Sequence, residues 1–240
     1  MLTKLSCCGR RNMSSTGRSD VRRPSDFYET PDWCVKVIAP YVKSYLAQLI
    51  DFASDDWHGH KEMEKGGAFA TILDPGAGSG NITKSLRDHI GEKIQVSDGH
   101  EFAQIPLVIE AIELEPHLHC VLQKNVGTMK DVYVSQGDFF DRKHAADCIV
   151  CNPPYSQAME FIKHALKHSH SVWMLLRLDF LGSNTRTGRG DWYRAGNTPD
   201  VYVMSRRPSF TNDGKTDSNY YGWFHWHRKQ TEGKIKVLEC

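Results

Sequence analysis

The segment Asn152-Pro153-Pro154-Tyr155 follows directly on the apolar run Cys148-Ile149-Val150-Cys151, which reads as a buried strand. Two successive prolines cannot continue that strand. The chain must therefore turn sharply at the carboxyl edge of a sheet, where α/β proteins place their ligands. An amide side chain, a carbonyl with no N–H after it and an aromatic ring are displayed together. Such a trio can hold a planar group bearing an amino substituent: Asn152 Oδ1 and the Pro153 carbonyl accept its two N–H bonds, and Tyr155 stacks on its face. A nucleobase fits that description. A plain strand-to-helix turn is the alternative reading, because Pro-Pro pairs punctuate many loops.

Upstream, the short apolar strand Thr71-Ile72-Leu73 runs into Asp74-Pro75-Gly76-Ala77-Gly78-Ser79-Gly80-Asn81 and then into an amphipathic segment from Ile82 to Ile90. The order is strand, glycine-rich turn, helix. Gly76, Gly78 and Gly80 let the backbone approach a nucleotide-like ligand. Dinucleotide enzymes use a related loop, but Asn81 stands where their third glycine falls. Asp74 at the strand end would repel a pyrophosphate and attract an amino group. The better ligand is a nucleoside that carries an amino acid.

With these two motifs in order, the chain resembles the S-adenosylmethionine-dependent amino-methyltransferases, above all the small adenine-N6 DNA methyltransferases of bacteria and phages. Phe27-Tyr28-Glu29-Thr30-Pro31 resembles the family's N-terminal cofactor segment, and the resemblance implies that Tyr28, Thr30 and Pro31 meet the methionine end of S-adenosylmethionine. It implies cofactor roles for Asp74, Gly76 and Gly78, a ribose-binding carboxylate at Glu113 and an adenine contact at Asp138, within Gln136-Gly137-Asp138-Phe139. It also implies that Asn152, Pro153, Pro154 and Tyr155 form the catalytic turn. Arg206-Arg207-Pro208-Ser209-Phe210 and Tyr221-Gly222-Trp223-Phe224-His225-Trp226 resemble the closing hairpin, with Phe210 a second stacking surface for the target base. The likeness spans residues 26 to 228.

Glu113 lies 39 positions beyond Asp74 (residue 113 against residue 74), whereas the ribose carboxylate of a nucleotide-binding βαβ unit falls about 20 further on. A loop from Gly91 to Pro106 accounts for the excess. Glu101 is the rival carboxylate, but no strand precedes it, whereas Glu113 follows alternating apolar residues.

The chain has 240 residues, 40% of them hydrophobic, enough for one sizeable domain with a complete core. No apolar run approaches the roughly 20 residues that span a bilayer, which leads us to expect a cytoplasmic protein. Its seven cysteines read as reduced thiols, and Cys148 and Cys151 point to opposite faces of their strand. His117/His119 and His225/His227 are spaced by two and read as solvent-facing positions, so no metal site is assigned.

The net charge is only +1, but it is unevenly spread. Residues 1–25 carry six basic residues against one acidic, a serine- and arginine-rich arm expected to be disordered, which could follow phosphates or serve as a targeting segment. Residues 180–215 hold a second basic cluster, with Arg186 and Arg189 beside Trp192 and Tyr193, suited to contact with DNA. The alternation of elements predicts one domain over 26–240. It is a doubly wound, mostly parallel Rossmann-like sheet of seven strands, with one helix over 33–50 and a C-terminal antiparallel hairpin formed by 201–204 and 221–226. The function expected is methyl transfer from S-adenosylmethionine to adenine N6 in DNA, with the base flipped out of the duplex. RNA adenine, cytosine N4, a protein glutamine, or an inactive nucleic-acid-binding module remain open.

Overall fold

The computed structural model describes residues 28–51, 69–97, 102–182, 188–210, 216–227 and 232–240. The basic arm over 1–25, Glu101 and Arg186 lie outside these residues. The chain opens with two helices, α1 (Asp32–Lys36) and α2 (Ala39–Asp51), where the sequence suggests one. Pro40 is the reason: it sits in the first turn of α2, where a missing N–H costs nothing, but inside a continuous helix it would break the ladder.

Seven strands appear where expected: β1 (Ala70–Pro75), β3 (Phe102–Glu113), β4 (Val132–Gln136), β5 (Cys148–Cys151), β6 (Ser171–Arg177), β7 (Asp200–Met204) and β8 (Tyr221–His227). Two more were not expected. Strand β2 (Lys93–Ser97) pairs antiparallel with the first half of β3, so the supposed loop over 91–106 is largely a β-hairpin. Strand β9 (Ile235–Leu238) adds in parallel to β7. The sheet runs β3-β1-β5-β6-β8-β7-β9, with β4 parallel to the second half of β3. Helices α3 (Asn81–Ile90), α4 (Pro116–Val126), α5 (Ala158–His168) and the short α6 (Arg189–Arg194) complete it.

Strands β1, β5 and β6 are buried along almost their whole length, as parallel strands covered on both faces must be. Alternation sorts their side chains into two cores. Ile72, Cys148, Val150, Trp173, Leu175 and Trp223 face α1 to α4, whereas Leu73, Ile149, Cys151, Val172, Met174 and Phe224 face α5. Cys148 and Cys151 thus lie on opposite faces, as their spacing requires. The indole N–H of Trp223 donates to the Cys34 carbonyl at 2.8 Å, fastening α1 to the far half of the sheet. Buried Arg87 donates to the carbonyls of Gly91, Leu107 and Asp131, pinning the end of α3 to the middle of β3 and the entry to β4.

Chain order reverses between β1 and β5: from β1 the strands proceed outward to β3 and β4, and from β5 they proceed the other way. Such a switch point opens a crevice at the carboxyl ends. The β1–β5 ladder pairs Ile72 with Cys148 and Leu73 with Ile149. Beyond it, the Cys151 thiol donates to the Pro75 carbonyl and holds the crevice floor together. Among the described residues, no helix is long and apolar enough to cross a membrane.

Gly80 shows how tightly this corner is built. Its φ is +91°, and a Cβ there would lie 2.8 Å from Leu122 Cδ1. Gly188 is also left-handed, at φ +65°, but faces open space. Gly188→Ala should therefore cost only the backbone strain, about 1 to 2 kcal/mol. Gly80→Ala should add the overpacking cost, for about 2 to 4 kcal/mol in total. Urea midpoints of the two variants test this; equal losses would contradict the close approach of α4.

Candidate active site

The loop after β1 folds back over the end of β3. Gly76 and Ala77 N–H groups both donate to the Ile112 carbonyl, at 2.8 and 2.9 Å, and Gly76, Gly78 and Gly80 all have positive φ. Only glycine adopts three such conformations in five residues without strain. The Gly78 N–H donates to Glu113 Oε2 at 2.7 Å, and Glu115 N–H donates to Glu113 Oε1 at 2.9 Å. Glu113 is thereby fixed at the tip of β3. Each of its oxygens keeps a lone pair for a ligand.

A cleft of about 560 Å³ opens beside this loop, within the range of small-molecule sites. Tyr28, Thr30, Gly76, Glu113, Asp138, Asn152 and Pro154 line it, seven of the residues the sequence singled out. It also brings in Glu29, Asn81, Glu115, Phe140 and Phe161, which the sequence analysis did not assign. Among the described residues, the lining contains four carboxylates, at Glu29, Glu113, Glu115 and Asp138, and no lysine, arginine or histidine. That charge disfavours a pyrophosphate and favours a cationic ligand bearing hydroxyls.

Asn152 is oriented from across the chain. Its Nδ2 donates to the Tyr28 carbonyl at 3.3 Å and to Thr30 Oγ1 at 3.1 Å. A carbonyl can only accept, so the amide nitrogen must face Tyr28. Oδ1 is left buried without a hydrogen-bond partner. Asn81 reinforces the same segment, with its Nδ2 3.4 Å from the Thr30 carbonyl.

Several predicted residues do not reach the cleft surface. Asp74 is completely buried behind the loop: Oδ2 accepts from Thr83 Oγ1 at 2.7 Å, and Oδ1 has no partner. Gly78, Pro31 and Pro153 are likewise absent from the lining, Pro31 because it caps α1. Tyr155 packs instead into an aromatic cluster, with ring centroids 5.5 Å from Tyr28 and 6.1 Å from Tyr221 and the Arg177 guanidinium 5.3 Å away. Phe210 is 4% exposed and belongs to that cluster, 5.0 Å from Tyr221, so it is a core residue and offers no open stacking face. Arg189 is committed to its own loop, donating to the Gly182 carbonyl and covering the Phe180 ring.

Comparison with families places the fold and nothing finer. No family model and no curated protein matches the sequence. Among solved structures, a candidate RNA methyltransferase from Pyrococcus horikoshii superposes with a TM-score of 0.59 at 14% identity, covering 87% of this chain and 91% of that one. The methyltransferase subunit of a type I restriction-modification system from Streptococcus thermophilus gives 0.58 at 13% identity, over 89% of this chain and 48% of that one, so this chain spans about half its length. A candidate class I S-adenosylmethionine-dependent methyltransferase from Listeria monocytogenes gives 0.56 at 11%, over 92% and 68%. The fold is a methyltransferase fold. Its mixed sheet and antiparallel C-terminal strands correspond to those of these enzymes.

Burial pushes the Asp74 carboxyl up to about 7, with the Thr83 hydroxyl opposing that shift. The unfolded value is about 3.9, so folding favours the protonated form. The stability this confers is fully present below about pH 4 and is lost as pH rises through 7. Asp74→Asn keeps an oxygen for Thr83 and removes the titration. Relative to the parent, it should gain about 2 to 3 kcal/mol between pH 5 and pH 8. Urea unfolding at both pH values measures this, and a constant difference would rule out the shift.

Proposed function

We propose that this chain transfers a methyl group from S-adenosylmethionine to the exocyclic N6 amino group of adenine in DNA. The observation that carries the reading is the Asn152 amide: its nitrogen is tied to Tyr28 and Thr30, and its buried oxygen is left as an unfilled acceptor on the wall of an acidic cleft.

The residues present fit the cofactor. Glu113 has a spare lone pair on each oxygen for ribose hydroxyls, and Asp138, whose Oδ1 is held by the Phe140 N–H, keeps Oδ2 for an adenine amino group. Tyr28 and Thr30 border the methionine end, and the four carboxylates offset the ligand's positive charge. Bound there, the cofactor supplies an electrophilic methyl carbon on a sulfonium.

Adenine N6 is a weak nucleophile because its lone pair is delocalised into the ring. Asn152 Oδ1 and the Pro153 carbonyl, accepting both amino protons, draw the nitrogen towards a tetrahedral geometry and aim its lone pair at the methyl carbon. The nitrogen lone pair would form the new N–C bond as the carbon–sulfur bond breaks, its electron pair staying on sulfur to leave a neutral thioether, and the nitrogen would shed one proton to water. Rate enhancement then comes from proximity and from acceptors fixed before the reaction, without a strong base. The target base must leave its stack to reach this depth. The exposed guanidiniums of Arg206, 4.2 Å from the Trp33 ring, and Arg207, 5.6 Å from the Tyr220 ring, offer cations to a nearby phosphate backbone.

RNA adenine presents the same amino group, and the likeness to the Pyrococcus protein favours it as the second reading. Transfer of label from methyl-tritiated cofactor to DNA and RNA, followed by nucleoside analysis, decides between them. With the preferred substrate, Asn152→Ala should bind cofactor as the parent does while turnover falls about 100-fold or more. Undiminished N6 methylation by that variant would refute the acceptor mechanism.

A further inference from the structure

We propose that Asp200, His225 and His227 bind one divalent transition-metal ion of the zinc class, at a site separate from the methyl-transfer cleft. The three residues meet because β7 and β8 are antiparallel neighbours: Asp200 lies directly opposite His225, and His227 follows two residues later on the same face. One ligand atom from each lies within 4.8 Å of the other two. One of these gaps, His227 Nε2 to Asp200 Oδ2, is 3.3 Å. Ligand atoms on a tetrahedral zinc ion stand about 3.3 Å apart, given metal–nitrogen bonds of about 2.0 to 2.1 Å. Small side-chain rotations therefore close the set.

His225 is the residue that asks for a ligand. It is fully buried, its ring stacked 3.8 Å from Trp173 and capped edge-on by Tyr45 at 4.4 Å. Its Nε2 lies 3.0 Å from Ser171 Oγ, and its Nδ1 has no hydrogen-bond partner. Leaving a buried ring nitrogen unmatched carries a desolvation cost. A metal ion removes that cost. With Nδ1 on the metal, Nε2–H donates to Ser171 Oγ, the outer hydrogen bond that histidine ligands ordinarily make. Asp200 is similarly prepared: Oδ1 accepts the Lys234 N–H at 2.8 Å, which fixes the carboxylate and leaves Oδ2 towards His227.

Two imidazoles and one carboxylate form a donor set suited to zinc, cobalt or nickel, with water completing the shell. The His227 side chain is 18% exposed and gives the ion a path inward. The site stands at the opposite end of the sheet from the cleft, because His227 pairs with Ser171 at the start of β6 whereas Tyr221 pairs with Arg177 at its end. None of the three residues lines the cleft. The ion's role is to clamp β7 to β8, and the inference stands independently of what the cleft methylates.

The full chain, stripped with chelator and titrated with Co²⁺, should take up one ion per chain with visible d–d bands of a four- or five-coordinate site, and Zn²⁺ should displace it. Zn²⁺ should also raise the melting temperature. Replacing the buried His225 could unfold the protein, so the test uses Asp200→Asn and His227→Gln, each expected to weaken Co²⁺ binding about tenfold or more while preserving circular dichroism. His117→Gln/His119→Gln, on the exposed helix pair, should leave it unchanged. Absence of stoichiometric Co²⁺ binding, or binding lost in the His117/His119 variant and kept in the other two, overturns the proposal.

Discussion

Burial of a parallel sheet on both faces is the constraint from which the rest of this structure follows. Strands β1, β5 and β6 bury every side chain except that of Arg177 at the end of β6. Chemistry is confined to their ends, where backbone groups run out of ladder partners. At the carboxyl end, loops with open acceptors gather around the switch point. At the amino end, polar groups lock together instead: Asp147 Oδ2 accepts both the backbone N–H and the hydroxyl of Thr71 at 2.8 Å, and Ser169 Oγ reaches the Asp147 carbonyl. Hydrogen bonds close the amino end around β1 and β5, and the carboxyl end is left open as the cleft.

The electrostatics of the carboxyl end divide between layers. Asp74 lies behind the glycine loop, where burial favours its neutral form, and braces the start of α3 through Thr83. Glu113 lies at the surface of the cleft and is held by two backbone N–H groups. Two carboxylates from adjacent strand ends thus take different roles, Glu113 accepting two backbone N–H bonds on the cleft wall and Asp74 sealed behind the loop. Cys151 belongs to the inner layer, its thiol held well above its ordinary range by burial and bonded to Pro75, so it acts as a fastener without nucleophilic character.

Aromatic packing at the mouth of the cleft changes how substrate recognition must be pictured. Tyr28, Tyr155, Phe210 and Tyr221 already satisfy one another, with Arg177 over the Tyr155 ring. Stacking on a nucleobase would therefore exchange contacts within this cluster for contacts with the ligand. The open aromatic surface of the cleft is supplied from elsewhere, by Phe140 in the turn after β4, which packs edge-on against buried Phe161 of α5.

By itself the sequence determined the central strands, the glycine turn and the Asn152 turn. Apolar runs buried on both faces, glycines forced to positive φ and paired prolines are local physical demands that leave local signatures. It did not reveal β2 and β9, because edge strands bury only one face: Ile235 and Val237 are largely exposed, and their alternation is too short to stand out. Nor did it separate α1 from α2, although Pro40 marks the break. Only the tertiary structure decided which acceptors orient Asn152, since Thr30 and Tyr28 lie 122 and 124 residues away in sequence. It alone put Asp74 behind the loop and Phe210 in the core, and turned His225 from an expected surface position into a buried one beside Asp200. Those outcomes depend on which strands become neighbours, and sheet register is set by contacts across the whole chain that no local pattern encodes.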